Sequence, residues 1–455
     1  MPLQTVNPAT GELVREYPSF DIAEILRVLE AVETDAAKWR ETNFEERARC
    51  LRKAAEILRG NKEAYGKTIT LEMGKPIKEA IGEVEKCALV CDYYAENGTK
   101  FLADEPLKSS GQHAFATFQP LGCVLAIMPW NFPFWQVFRA AAPALMAGNA
   151  MVLKHASNVP QCALTLEAIF QQAGFPMNLF RTLMVGADGA AVAIAHPTVK
   201  AVTLTGSTAA GEKVAAMAGS QLKKTVLELG GADAYLILED ADIDLAVSKV
   251  VAGRILNAGQ SCISPKRVIV QPEIRQTFEE KLVAALKDID FGDPMKPETK
   301  LGPMAREDLR NEVHQQVTNS IQAGAKLLLG GTKPDQPGAW YPVTVLSDPP
   351  EGSPGYAEEI FGPVISIIHA KDEADAIRIA NDSEYGLGGA IFTQNHARGI
   401  EIARNKLVTG SVFINDFVKS DPRLPFGGVK KSGYGRELSS YGIKEFVNVK
   451  TVLLA

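Results

Sequence analysis

The sequence predicts an α/β protein with two parallel-sheet domains, on three observations. From about residue 123 onward, short apolar runs of strand length alternate with helix-length segments, an order that implies parallel pairing with helices on both faces. The alternation resumes after a changeover near residue 230, which marks a second unit. A chain of 455 residues suits two to four domains and can bury a core without a disulfide or metal staple.

The elements follow in order. Residues 22–101 read as helices, with apolar positions at Ile22, Ile25, Leu26 and Leu29 and again at Leu51, Ala54, Ile57 and Leu58. Between Phe115 and Met128 the pattern becomes β-type. Residues 150–153 read as a strand. Ser157 and Asn158 are candidate caps for a helix with Pro160 near its start, and Gly174 with Pro176 stops it. Residues 199–204 form the next strand, followed by a helix from about Thr208 to Met217. Strands at 226–229 and 235–238 precede a helix that Asp242 opens and that runs to about Asn257. The second unit continues with a helix over 306–323, strands at 326–329 and 364–369, a helix over 372–381 and a strand at 389–392. Residues 445–454 alternate as an edge strand.

Composition excludes several classes. The chain carries 48 Lys and Arg against 54 Asp and Glu, a formal charge of −6, and has no basic run, so no nucleic-acid partner is expected. No stretch approaches the roughly 18 uninterrupted apolar residues of a membrane span. The N-terminal residues lack the charged start and apolar core of an export signal, and a cytoplasmic location is expected. Six cysteines are too sparse for a disulfide scaffold. Cys87 and Cys91 have no second pair at zinc-ligand spacing, so no metal site is expected.

Several residues could carry chemistry. Cys262 lies in Asn257-Ala-Gly-Gln-Ser-Cys262, just past a predicted helix; it reads either as a nucleophile or as a small buried hydrophobe. None of the six histidines stands in a recognisable partner motif, which argues against a cysteine-protease pair. Glu228, in Leu227-Glu-Leu-Gly-Gly231, ends an apolar strand where parallel sheets open ligand crevices. It is either a general base of raised pKa or a salt-bridged acid. Gly206-Ser-Thr-Ala-Ala-Gly211 joins a strand to a helix and could seat a phosphate. It is not a P-loop, because Glu212 stands where Lys is required, and it lacks the G-x-G-x-x-G fingerprint. Asn131, in Pro129-Trp-Asn-Phe-Pro133, is a neutral amide donor suited to an oxyanion or to capping a turn. Lys154 ends a strand.

These segments occur in one chain order with Gly259-Gln-Ser-Cys262, Glu359-Ile-Phe-Gly-Pro363 and Pro425-Phe-Gly-Gly428. The series resembles the aldehyde dehydrogenase superfamily over essentially the whole chain. The resemblance implies two Rossmann-like parallel-sheet domains plus a β-type oligomerisation arm. It divides the chain into a cofactor-binding domain (1–103 and 122–229), a catalytic domain (230–424), and an arm with a C-terminal strand (104–121 and 425–455). It implies Cys262 as nucleophile, Glu228 as the base that activates water, and Asn131 as oxyanion donor. Pro129, Trp130, Lys154, Gly206, Ser207, Gly230, Glu359 and Phe361 would contact the cofactor.

Two departures from the family pattern sharpen the expectation. Members preferring NAD often carry Glu where this chain has Ser157, in Lys154-His-Ala-Ser157. A serine hydroxyl can donate to a 2′-phosphate that a carboxylate would repel, so NADP is expected, with NAD weaker. Where some semialdehyde members carry a second Cys, this chain has Ser264, so no vicinal disulfide switch is available. Arg139 and Ser420 match the residues by which semialdehyde dehydrogenases grip a distal carboxylate, although Arg139 also reads as a salt bridge. The expected substrate is succinate semialdehyde, with glutarate semialdehyde as the alternative, and the expected assembly is a homo-oligomer, with a dimer favoured over a tetramer.

Overall fold

The computed structural model describes residues 3–111 and 113–455. An N-terminal hairpin, β1 (Leu3–Val6) and β2 (Leu13–Tyr17), precedes four helices: α1 (Ile22–Arg40), α2 (Phe44–Gly60), α3 (Lys62–Met73) and α4 (Ile77–Phe101). Asp21 starts α1 by a reciprocal cap, accepting from the Glu24 N–H while Glu24 accepts from the Asp21 N–H. The stripe Ala80, Val84, Cys87, Cys91 and Tyr94 buries one face of α4. Lys86 stands on the flank of that stripe, which turns it toward the site described below.

Strands β3 (Glu105–Leu107) and β4 (His113–Pro120) lead out to an arm. The chain then enters the first large sheet with β5 (Cys123–Met128), α5 (Trp135–Met146), β6 (Ala150–His155), α6 (Pro160–Gln172), β7 (Phe180–Thr182), α7 (Ala187–Ala195), β8 (Val199–Thr205), α8 (Thr208–Ser220) and β9 (Lys224–Glu228). These strands are parallel in the order β9-β8-β5-β6-β7, and Thr205 pairs with Glu228 at the carboxyl edge. The second sheet uses β10 (Ala234–Ile237), β11 (Arg267–Val270), β12 (Lys326–Leu329), β13 (Thr344–Ser347), β14 (Val364–His369), β15 (Gly389–Phe392) and β16 (Phe413–Ile414), with only β12 antiparallel. A short strand β17 (Gly433–Tyr434) returns antiparallel to β9, and β18 (Val447–Leu454) pairs with β4 along its length. None of the described helices is long and apolar enough to cross a membrane.

Three local readings change. Neither Ser157 nor Asn158 caps α6; Val159 takes that position without a side-chain bond. The carboxylate of Glu72, buried on α3, accepts instead from the Gln161 and Cys162 N–H groups at 2.9 and 2.8 Å, so a tertiary partner replaces a local one. The helix opened by Asp242 ends at Ile255, and Asn257 and Ala258 adopt left-handed backbone with φ of 53° and 52°. The helix after Ser207 runs three residues beyond Met217, to Ser220.

Candidate active site

That left-handed turn places Cys262. A Cβ on Gly259 (φ 72°) would fall 2.2 Å from the Gly362 carbonyl oxygen, so only glycine lets the turn rest against the segment that bears Glu359. Lys266 Nζ donates to the Ser261 and Cys262 carbonyl oxygens at 2.9 and 2.7 Å and fixes the loop from behind. Cys262 is partly exposed, whereas the other five cysteines are buried. Burial pushes its thiol up to about 12, against the pull of Lys266 and Arg139.

Two cavities meet at Cys262 and Gln136. The larger, a cleft of about 850 Å³, opens at the carboxyl ends of β5, β8 and β9. Pro129, Trp130 and Asn131 form one wall, and Gly206, Ser207 and Gly230 a second. Glu359 and Phe361 form the third, with Phe361 edge-on to Trp130 at 5.8 Å between ring centres. Ser207 caps α8 by accepting from the Ala210 N–H at 3.3 Å, which leaves the positive end of the helix dipole beside the cleft. Glu359 accepts from the Gly231 N–H at 2.9 Å and pairs with Lys266 at 3.3 Å. A Cβ on Gly230 would lie 2.5 Å from the second Glu359 oxygen, so that glycine keeps the carboxylate in place.

Asn131 is buried and held from three sides. Its Nδ2 donates to the Gln260 carbonyl at 3.0 Å and its Oδ1 accepts from Gln136 Nε2 at 3.0 Å. Its backbone oxygen accepts from Asn257 Nδ2 at 2.8 Å. One Nδ2 hydrogen remains to donate. Glu228 lines neither cavity. Both its carboxyl oxygens are buried without a hydrogen-bond partner among the described residues. Burial raises its pKa first and the nearby Glu437 second, while Arg139 and Arg436 oppose them.

The smaller cavity, about 590 Å³, carries Arg139 and Ser420 together with Lys86, Trp135 and Phe426. Arg139 is ion-paired with Glu437, donates to Thr205 Oγ1 at 3.3 Å, and lies 4.7 Å from the centre of the Phe426 ring. Ser420 Oγ accepts from Lys86 Nζ at 2.8 Å and from Trp135 Nε1 at 3.0 Å.

Two expected cofactor contacts stand apart from this pair of cavities. Lys154 lies in β6, where burial lowers its pKa. Ser157 lines a third cavity with Gln4 and Asn7 of the N-terminal hairpin and with Arg306, and its carbonyl accepts from the Gln4 N–H at 3.1 Å. Conversely, Lys86, Gln136, Lys266 and Glu437 join the site without having been singled out from the sequence. Lys266, four residues after Cys262, and Lys86, three after a buried Glu83 on α4, had a local signal. Glu437 had none, because its partner lies in a distant segment.

Comparison with known proteins places the chain as a whole. The aldehyde dehydrogenase family model matches residues 1–452. The chain is 47% identical over 455 residues to a probable succinate-semialdehyde dehydrogenase [NADP(+)] of Synechocystis sp., covering all of both chains. It is 46% identical to a succinate semialdehyde dehydrogenase [NAD(P)+] of Escherichia coli, covering 98% of this chain and 97% of that one. Among solved structures, succinic semialdehyde dehydrogenase from Streptococcus pyogenes in complex with NADP+ superposes with a TM-score of 0.97 at 41% identity, covering 99% of each chain.

Proposed function

The chain belongs to the aldehyde dehydrogenase family, and on that premise we propose that it oxidises succinate semialdehyde to succinate with NADP. The observation that carries the reading is the position of Cys262 on the wall common to both cavities. A nucleophile there can meet an aldehyde from one side and a nicotinamide from the other. The cleft's residues fit a dinucleotide: the α8 N-terminus suits a pyrophosphate, Glu359 suits ribose hydroxyls, and Gly230 leaves them room.

Cys262 attacks the aldehyde carbon and forms a thiohemiacetal. The thiol must first lose its proton, and Glu228, whose carboxyl burial holds above the usual carboxylate range, is the base assigned to take it. The free Nδ2 hydrogen of Asn131 and the Cys262 backbone N–H, which meets no acceptor among the described residues, stabilise the oxyanion. NADP held in the cleft by Glu359 and the α8 N-terminus would supply the hydride acceptor for the former aldehyde carbon, and the carbon so oxidised stays on Cys262 as a thioester. Once Glu228 has released the thiol proton to solvent, it draws a second proton from water; the hydroxide adds to the thioester, succinate leaves, and the departing thiolate takes the proton back from Glu228 as the thiol re-forms. Arg139 and Ser420 make the smaller cavity hospitable to a carboxylate.

NADPH formation across an aldehyde panel tests the reading. kcat/KM for succinate semialdehyde should exceed that for butanal by about tenfold to a hundredfold, and that for glutarate semialdehyde by about tenfold. Equal values for succinate semialdehyde and butanal would reject it.

A further inference from the structure

The turn that leads to Cys262 is held in a conformation its sequence does not favour. Asparagine tolerates the left-handed region, but alanine is disfavoured there by its Cβ, and Ala258 has φ of 52°. Such a backbone persists only where its surroundings fix it. Inside the turn, Gln260 donates to the Asn257 carbonyl from its backbone N–H and from Nε2, each at 3.0 Å. From outside, the Asn257 N–H donates to Glu79 Oε2 at 2.8 Å, across 178 residues of chain. Glu79 stands in the first turn of α4, where a carboxylate ordinarily serves its own helix N-terminus. Here it reaches out of the helix to the turn.

The contact continues to the oxyanion donor. Asn257 Nδ2 donates to the Asn131 carbonyl at 2.8 Å and to the Gln260 carbonyl at 3.2 Å. Asn131 Nδ2 donates to that same Gln260 oxygen. Fixing Asn257 therefore fixes both the Asn131 backbone and the acceptor that orients its amide. One turn further along α4, Glu83 pairs with Lys75 and accepts from the Phe134 and Trp135 N–H groups at 2.8 and 3.0 Å. The Lys75 ammonium lies 3.8 Å from the centre of the Phe132 ring. Two carboxylates of one helix thus grip the Asn131 loop, and of the two, Glu79 reaches the turn before Cys262.

We propose that Glu79 is a positioning residue for the reaction: through Asn257 it aims the free Nδ2 hydrogen of Asn131 at the oxyanion formed on Cys262. It acts without touching substrate or cofactor. The inference rests on the oxyanion role assigned to Asn131 and names what holds that donor in place.

Its charge gives a second handle. Burial raises the Glu79 carboxyl to about 7 and Glu83 adds to the rise, while the Asn257 N–H and Lys75 oppose it. Lys75 comes from the link between α3 and α4 and Glu83 from α4 itself, whereas the side chains of Asn257 and Gln260 are neutral amides. Glu79 is ionised above about pH 7, and a carboxylate accepts more strongly than a neutral carboxyl group. The tether therefore tightens as pH rises through that value.

The experiment measures kcat/KM for succinate semialdehyde at about pH 8 in the native enzyme, Glu79→Ala, Glu79→Gln, Asn131→Ala and the double variant Glu79→Ala with Asn131→Ala. Glu79→Ala should lower it about tenfold to a hundredfold, and Glu79→Gln, which keeps an acceptor, by only about threefold. NADP binding, read by fluorescence titration, should stay native in both. In the Asn131→Ala background the Glu79→Ala loss should shrink to about twofold or less, because the donor it positions is gone. A native kcat/KM in Glu79→Ala, or the same loss in both backgrounds, would overturn the assignment. Should Glu79→Ala fail to fold, the ratio of native to Glu79→Gln kcat/KM from about pH 6 to about pH 8.5 decides. A rise from about one to about three centred near 7 supports Glu79, since Cys262 and Glu228 cancel in the ratio, and a flat profile overturns it. An Asn131→Ala variant as active as native would instead reject the oxyanion reading itself.

Discussion

The two cavities that meet at Cys262 are built in opposite ways. The cleft is lined by short segments at strand ends, Pro129 to Asn131, Gly206 with Ser207, and Glu359 to Phe361, whose geometry comes from backbone turns and a helix N-terminus. The smaller cavity is assembled from single side chains brought in from afar. Lys86 and Ser420 are 334 residues apart in the chain, and Trp135 and Ser420 are 285 apart. Contiguous segments suit a ligand part that every related reaction shares, whereas scattered side chains can be changed one at a time to select a substrate. Cys262 belongs to both, so its loss should outweigh any other change. Cys262→Ala is expected to reduce kcat by more than about a thousandfold while NADP binding, read by fluorescence titration, survives. Residual turnover close to native would remove Cys262 from the mechanism.

Glu228 tests whether the two sides share a base. Glu228→Gln should lower steady-state kcat by about a hundredfold to a thousandfold. An initial NADPH burst stoichiometric with enzyme should accompany the loss if hydrolysis of the thioester limits the variant. A variant without a burst places Glu228 before hydride transfer, as the base for the thiol alone.

The same contrast explains what was legible in the sequence. The motifs around Asn131, Ser207, Glu228, Cys262 and Glu359 could be read because the residues defining each feature are neighbours in the chain. Strands such as Val364–His369 and Gly389–Phe392 could be read because they are apolar runs with helices between them. β11 escaped that reading. It is four residues long and begins with Arg267, buried because its guanidinium donates to the carbonyl oxygens of Ala232, Ile379, Ala380 and Asp382. Nothing local to Arg267 announces those acceptors. The Arg139–Glu437 pair and the Lys86–Ser420 contact were hidden for the same reason, and Glu72 displaced the caps expected at Ser157 and Asn158.

Arg139 measures how strongly the smaller cavity is tied to the fold. Arg139→Ala would strand Glu437, buried beside Glu228, without its ion-pair partner. Breaking one side of a buried pair costs about 3–5 kcal/mol, so urea denaturation should show a loss of that size. Glu437→Gln in the same background should return part of it. If Arg139→Ala instead keeps its stability and loses only selectivity for succinate semialdehyde over butanal, Arg139 is a free carboxylate clamp.

The smallest effect is expected furthest from Cys262. Ser157 faces a third cavity beside the N-terminal hairpin and Arg306, so it can act on the adenosine end of the cofactor without touching the reacting atoms. Two unit charges about 4 Å apart near a protein surface interact by roughly 4 kcal/mol before solvent and mobility reduce it. Ser157→Glu should therefore shift the ratio of kcat/KM for NADP to that for NAD by about tenfold to a hundredfold toward NAD. Ser157→Ala, which removes one donor and adds no charge, should shift it by only about fivefold. In both variants kcat at saturating cofactor should stay near native, because the cleft around Cys262 is built from other segments. A fall in kcat as large as the shift in ratio would mean that the third cavity and the cleft move together. The contrast would then lie between motion and rigidity rather than between backbone and side chain. An unchanged ratio would move cofactor discrimination away from Ser157, with Arg306 the cation to examine next because it lines the same cavity.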